Sequence, residues 1–168
     1  VKPLWQKRSP NPEKQRRAPR STNAKYVGNE NNPYVYLHCS VDKNIVSCVI
    51  HDNTKIIGVS AFEKCTGLTS VLIPNNVICI DTKAFAGCTS LQDVTIGDSV
   101  DSIHSSVFTD CTNLTSVIFT NTNTWYRTTD SYSWQEMRDG TETDVTDSSA
   151  NATYFKETYK NNYWYKID

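Results

Sequence analysis

The sequence predicts an α/β repeat, a short solenoid of 23-residue units built from parallel strands and short helical turns, closed by a small aromatic-rich α+β cap. Two observations carry this prediction. Cys65, Cys88 and Cys111 stand 23 residues apart, and the units 54–76, 77–99 and 100–122 share six identical positions. These are Ile57/Ile80/Ile103, Phe62/Phe85/Phe108, the three Cys, Thr66/Thr89/Thr112, Leu68/Leu91/Leu114 and Val71/Val94/Val117. After them the register stops, and ten of the eighteen aromatic residues fall within 125–168.

Spacing within a unit sets its elements. Phe85, Cys88 and Leu91 recur every three residues, which suits one helical turn with a single buried face. Val94 and Ile96 recur every two, which suits a strand with alternate side chains inward. Pro74–Asn75 or Gly97–Asp98 then turn the chain. One turn and one strand cannot bury an apolar face alone, so the units must stack. Upstream, Ile45, Cys48 and Ile50 fall in the Leu, Val and Ile frames as a degenerate copy.

The chain has 168 residues, 38% apolar and 21% charged, which is enough for one domain. No apolar run is long enough for a transmembrane helix. Lacking an initiating Met and a charged-then-apolar leader, the chain reads as a fragment or processed product. Its net charge of −1 hides a split. Residues 1–25 hold eight of the seventeen bases against Glu13 alone, a net +7, leaving −8 elsewhere. Four of the six prolines lie there too, so 1–25 is expected to be a disordered basic linker or tail. A polyanion-binding arm is the alternative, but no nucleic-acid fold signature follows it, and no specific nucleic-acid partner is expected.

Residues 26–53 form an N-terminal cap with the degenerate repeat, 54–122 the three full repeats, and 123–168 the C-terminal cap. In the first, Tyr34–Ser40 and Asn44–Ile50 read as paired strands. A tight turn would set Cys39 opposite Cys48, either as a disulfide or as two core thiols. In the last, Trp125–Thr128, Thr143–Val145 and Tyr163–Ile167 are strand-like. Asp147 or Ser148 caps a helix with Ala152, Phe155 and Tyr159 on one face. The aromatics either cover the last rung or offer a stacking platform for sugar.

The pattern I-x3-AF-x2-C-x2-L-x2-V-x-I, as in Ile80, Ala84, Phe85, Cys88, Leu91, Val94 and Ile96, resembles the BspA-like (Treponema pallidum-type) leucine-rich repeat. Val107 departs from it where Ala61 and Ala84 stand in the other units, which only enlarges one core side chain. The resemblance covers about residues 45–122; GNENNPYVYL at 28–37 and the aromatic end also resemble that family's flanks. It implies a surface or secreted protein, mostly bacterial, associated with adhesion to host matrix proteins and cells. Three full units are few for such arrays, which implies the C-terminal fragment of a longer protein.

Catalytic chemistry has little support. His38, His51 and His104 occupy unrelated frames, and no phosphate loop or metal-ligand spacing is present, so no cofactor, metal or enzyme activity is expected. Cys65, Cys88 and Cys111 read as buried thiols, and Cys79 as unassigned. What remains is surface. Outward sheet positions form two columns: Ser47, Ser70, Asp93 and Ser116, then Val49, Leu72, Thr95 and Ile118. The second is apolar in three rungs of four, either through strand propensity or as a protein-binding strip. The expected function is cell-surface adhesion through this face to a host matrix or cell-surface protein. The alternatives are a structural terminal segment of an envelope protein, or carbohydrate binding by the aromatic end.

Overall fold

The computed structural model describes residues 23–129 and 140–166. Most of the basic stretch, together with Tyr132, Trp134 and Met137, lies outside them. The repeats stack in parallel with a shift of 23 residues per rung, as the period requires. Each rung, however, contributes two strands rather than one. Four-residue strands β4 (Ser70–Ile73), β6 (Asp93–Ile96) and β8 (Ser116–Phe119) form a short parallel sheet. Two-residue strands β3 (Ile56–Ile57), β5 (Cys79–Ile80) and β7 (Ser102–Ile103) form a second row. The invariant Ile of each unit belongs to this row and is fully buried.

The Phe–Cys–Leu segments are turns, not helix. Ser60, Lys83 and Ser106, and again Lys64, Gly87 and Asp110, take left-handed backbone angles at equivalent places. That alternation turns every second N–H away from its own turn. Phe62 donates to the Ala84 carbonyl (2.6 Å) and Lys64 to that of Ala86 (2.7 Å), one rung on, while Cys65 bonds back to Phe62. The rungs are therefore cross-linked by backbone bonds on this side too. Phe62, Phe85 and Phe108 stack at 5.1 and 5.5 Å between centroids inside the core. Cys88 Sγ donates to the Phe62 carbonyl, and Cys111 Sγ to that of Phe85, so the buried thiols act as small core side chains with one hydrogen bond each.

The ends close by adding strands. At the N-terminal side, β2 (Tyr36–Ser40) pairs parallel with β3 and antiparallel with β1 (Ala24–Val27). The hairpin expected between Tyr34–Ser40 and Asn44–Ile50 does not form. Ile45 and Ile50 instead point into the core in the repeat frame, and the free edge of β2 is taken by β1. Ala24 and Lys25, inside the stretch expected to be a tail, thus belong to a strand. Cys39 consequently lies opposite Lys25, and Cys39 and Cys48 are free thiols rather than a disulfide.

At the C-terminal side, β11 (Tyr163–Lys166) pairs antiparallel with both β7 and β9 (Trp125–Thr128). Strand β10 (Thr141–Thr143), two residues earlier than expected, completes the row β1-β2-β3-β5-β7-β11-β9-β10. Helix α1 (Ser148–Thr153) is capped by the Asp147 carboxylate, which accepts from Ser149 and Ala150 N–H, and runs on into a π-helical turn, Tyr154–Thr158. It packs against β8. Trp125, Phe155, Trp164 and Tyr165 are buried there, extending the core of the solenoid. Among the described residues no helix is long and apolar enough to cross a membrane.

Candidate functional site

The two outward columns predicted from the sequence are brought together by the short sheet. Register pairs Ser70 with Asp93 and Asp93 with Ser116, then Leu72 with Thr95 and Thr95 with Ile118. Their strand neighbours Val71, Ile73, Val94, Ile96, Val117 and Phe119 are buried, as alternation demands. Leu72 is 65% exposed, Ile118 47% exposed, and Val49 70% exposed. Thr95 and Ser116 are half-buried, while Ser47, Ser70 and Asp93 are exposed. The face thus carries three large apolar side chains in water.

Val49 and Ser47 do not join the sheet. The ladder toward segment 46–50 consists of the Thr69 N–H donating to the Val46 carbonyl at 3.4 Å. Among the described residues no further backbone bond joins that segment to β4, and Pro74 has no N–H to offer. The chain diverges and leaves a cleft of about 480 Å³ lined by Cys48, Val49, Ile50, Leu72 and Pro74, with Asp52, Asn75 and Asn76 at its rim. Elsewhere the outermost repeat strands have neighbours. In the long sheet β1 lies beyond β2, and β11 closes β7. In the short sheet α1 closes β8, with Asn151 Nδ2 donating to the Val117 carbonyl. The edge of β4 that faces segment 46–50 has no strand partner, and the exposed Leu72 stands beside it.

Among the described C-terminal aromatics, Trp125, Phe155, Trp164 and Tyr165 are buried and Tyr126, Tyr154, Tyr159 and Tyr163 half-buried. Trp164 is 1% exposed and contacts Phe155 at 4.6 Å between centroids, so it has no free face for a sugar ring. Arg127 instead lies over the Tyr159 ring at 3.6 Å.

On the long sheet the structure assembles a group that the sequence reading left apart. Asp81 and His104 follow β5 and β7 in the same repeat frame, and Asp81 Oδ1 lies 3.0 Å from His104 Nδ1. His104 Nε2 lies 3.8 Å from the Cys79 Sγ. Burial pushes the Cys79 thiol up in pKa; a hydrogen bond from Ser102 opposes this and the Asp81 charge adds to it. The His104 side chain is 16% exposed. The signal was the frame itself, since equivalent residues of neighbouring units are spatial neighbours. His38 is exposed on β2 and His51 stacks on Tyr34, so the three His stand apart. Among the described residues no group of three or more His, Cys, Asp or Glu could hold a metal ion.

A sequence profile described as "BspA type Leucine rich repeat region" matches residues 34–157 in six copies, beyond the 45–122 expected from the motif alone. No curated protein matches the chain. A Leucine Rich Repeat protein of T. pallidum is 25% identical over 50% of this chain and 41% of its own, with a TM-score of 0.48. A leucine rich cell surface protein from Faecalibacterium prausnitzii A2-165 is 25% identical over 56% of this chain and 21% of its own, with a TM-score of 0.41. The chain therefore spans less than half the length of either.

Proposed function

Because the chain belongs to the BspA-type leucine-rich-repeat family, we propose that it is a non-enzymatic cell-surface binding module that adheres to a host matrix or cell-surface protein. The short-sheet face is the docking surface. One observation carries the reading: Val49, Leu72 and Ile118 stand 70%, 65% and 47% exposed, and the first two line the cleft at the unpaired edge of β4. A solvated sheet has no need of large apolar side chains there, and burying one against a partner gains about 1.5–3 kcal/mol. The edge of β4 adds backbone N–H and C=O groups that an extended segment of the partner can pair with. Ser47, Ser70, Asp93, Thr95 and Ser116 would supply the polar rim.

The test is solid-phase binding to a panel of matrix proteins and to host cells. Leu72→Asp and Ile118→Asp are expected to abolish binding while leaving the thermal transition nearly unchanged. Binding that survives both substitutions sinks this surface as the site.

A further inference from the structure

We propose that Cys79, His104 and Asp81 form a reactive-thiol site that exchanges with small disulfides and holds the resulting mixed disulfide. The site sits on the long sheet and shares no residue with the short-sheet docking face. Register Cys79↔Ser102 and Ile80↔Ile103 places Asp81 beside His104 and leaves Cys79 diagonal to it. Cys79 and Asp81, two apart along the chain, project from the same side. All three are half-buried, so the thiol is held in place yet reachable.

The hydrogen-bond inventory fixes the direction of the relay. An ionised carboxylate only accepts, so the contact at 3.0 Å puts a proton on His104 Nδ1. In the neutral ring Nε2 then keeps its lone pair, and it faces the Cys79 sulfur at 3.8 Å. The Tyr163 ring lies edge-on to the imidazole, 5.7 Å between centroids. This is the order nucleophile, base and orienting acid that activates a hydroxyl or thiol elsewhere. Since burial holds Cys79 as a thiol, its proton must leave as attack proceeds, and Nε2 is the base within reach.

The step balances without a further reactant. The Cys79 sulfur attacks one sulfur of R–S–S–R; a new S–S bond forms as the old one breaks. The thiol proton passes to His104 Nε2 and from there to the departing thiolate, which leaves as R–SH. Cys65, Cys88 and Cys111 cannot compete, because they are fully buried and point into the core.

Glutathione disulfide is the probe, with the sites read by peptide mass spectrometry on the full chain. Cys79 is expected to form the mixed disulfide. H104Q and D81N should each slow it about tenfold or more while leaving the rate at Cys39 unaltered. No adduct at Cys79, or an H104Q rate equal to wild type, overturns the proposal. Should both variants fail to fold, nitrogen NMR of wild-type His104 decides it. The Nδ1–H tautomer supports the relay, and Nε2–H overturns it.

Discussion

Asn151, wholly buried in α1, donates through one amide nitrogen to two carbonyls, that of Val117 on β8 at 3.0 Å and that of Val145 at 2.8 Å. The first belongs to the last rung of the short sheet, where no further strand follows. A stacked array exposes such groups at its ends, and a buried carbonyl without a donor costs about 1–3 kcal/mol. Asn151→Leu keeps the volume and removes both donors. Urea unfolding should show a loss of about 3 kcal/mol, more than an ordinary surface change in this helix would give.

The left-handed positions give a prediction of opposite signs. Gly87 stands at φ 71°, and its counterparts Lys64 and Asp110 at 60° and 61°. An added Cβ at Gly87 meets Lys64 Cγ at 3.2 Å, the flexible middle of a side chain, so space is not the obstacle. The cost of Gly87→Ala is backbone strain of about 1 kcal/mol. Lys64→Gly relieves the same strain and should raise stability by about 0.5 kcal/mol after the entropy of the freer unfolded chain is subtracted. Equilibrium denaturation of the two single variants checks both signs.

These turns also show what a sequence can and cannot reveal here. The stack was legible because Phe85, Cys88, Leu91, Val94 and Ile96 recur in register, and burial follows directly from that recurrence. Asp81 facing His104 was legible in principle, since frame mates become neighbours. The second strand of each rung was not, because two residues such as Cys79–Ile80 are too short to display a period of two. Nor were the left-handed turns, since Ser60, Lys83 and Lys64 carry no Gly to announce them. Strand β1 was concealed for another reason: Ala24–Val27 gains its partner only when β2 offers a free edge, a contact no local pattern encodes. The open edge of β4 likewise depends on where segment 46–50 diverges, which the degenerate repeat frame would have placed inside the sheet.

Phe85 occupies the middle of the aromatic stack, 5.1 Å from Phe62 and 5.5 Å from Phe108, and is fully buried. Phe85→Ala should cost about 4 kcal/mol. The position matters beyond the magnitude, because each rung is stabilised through its neighbours. A cavity in the central rung uncouples the two caps, so circular dichroism and tryptophan fluorescence should give separate urea transitions in the variant and one in wild type. Coincident curves in F85A would show that the outer rungs are coupled by another route.

Cys48 links stability to alkaline pH. It stands in the column of Val71, Val94 and Val117, and burial is the main cause that pushes its thiol from 9.0 up to about 11, with the nearby Cys65 adding to it. In the unfolded chain the thiol loses its proton near the ordinary value. Between about pH 9 and 11 the folded protein therefore binds more protons than the unfolded one, and stability falls as pH rises through that window. Cys65, Cys79 and Cys88, also raised by burial or hydrogen bonding, act in the same direction. Cys48→Val restores the residue type of the column and removes one titrating group. It should leave the urea midpoint at pH 7 nearly unchanged and shrink the loss between pH 8 and pH 10.5, as measured by urea titrations at the two values. An equal loss in C48V would place the alkaline sensitivity in the other thiols.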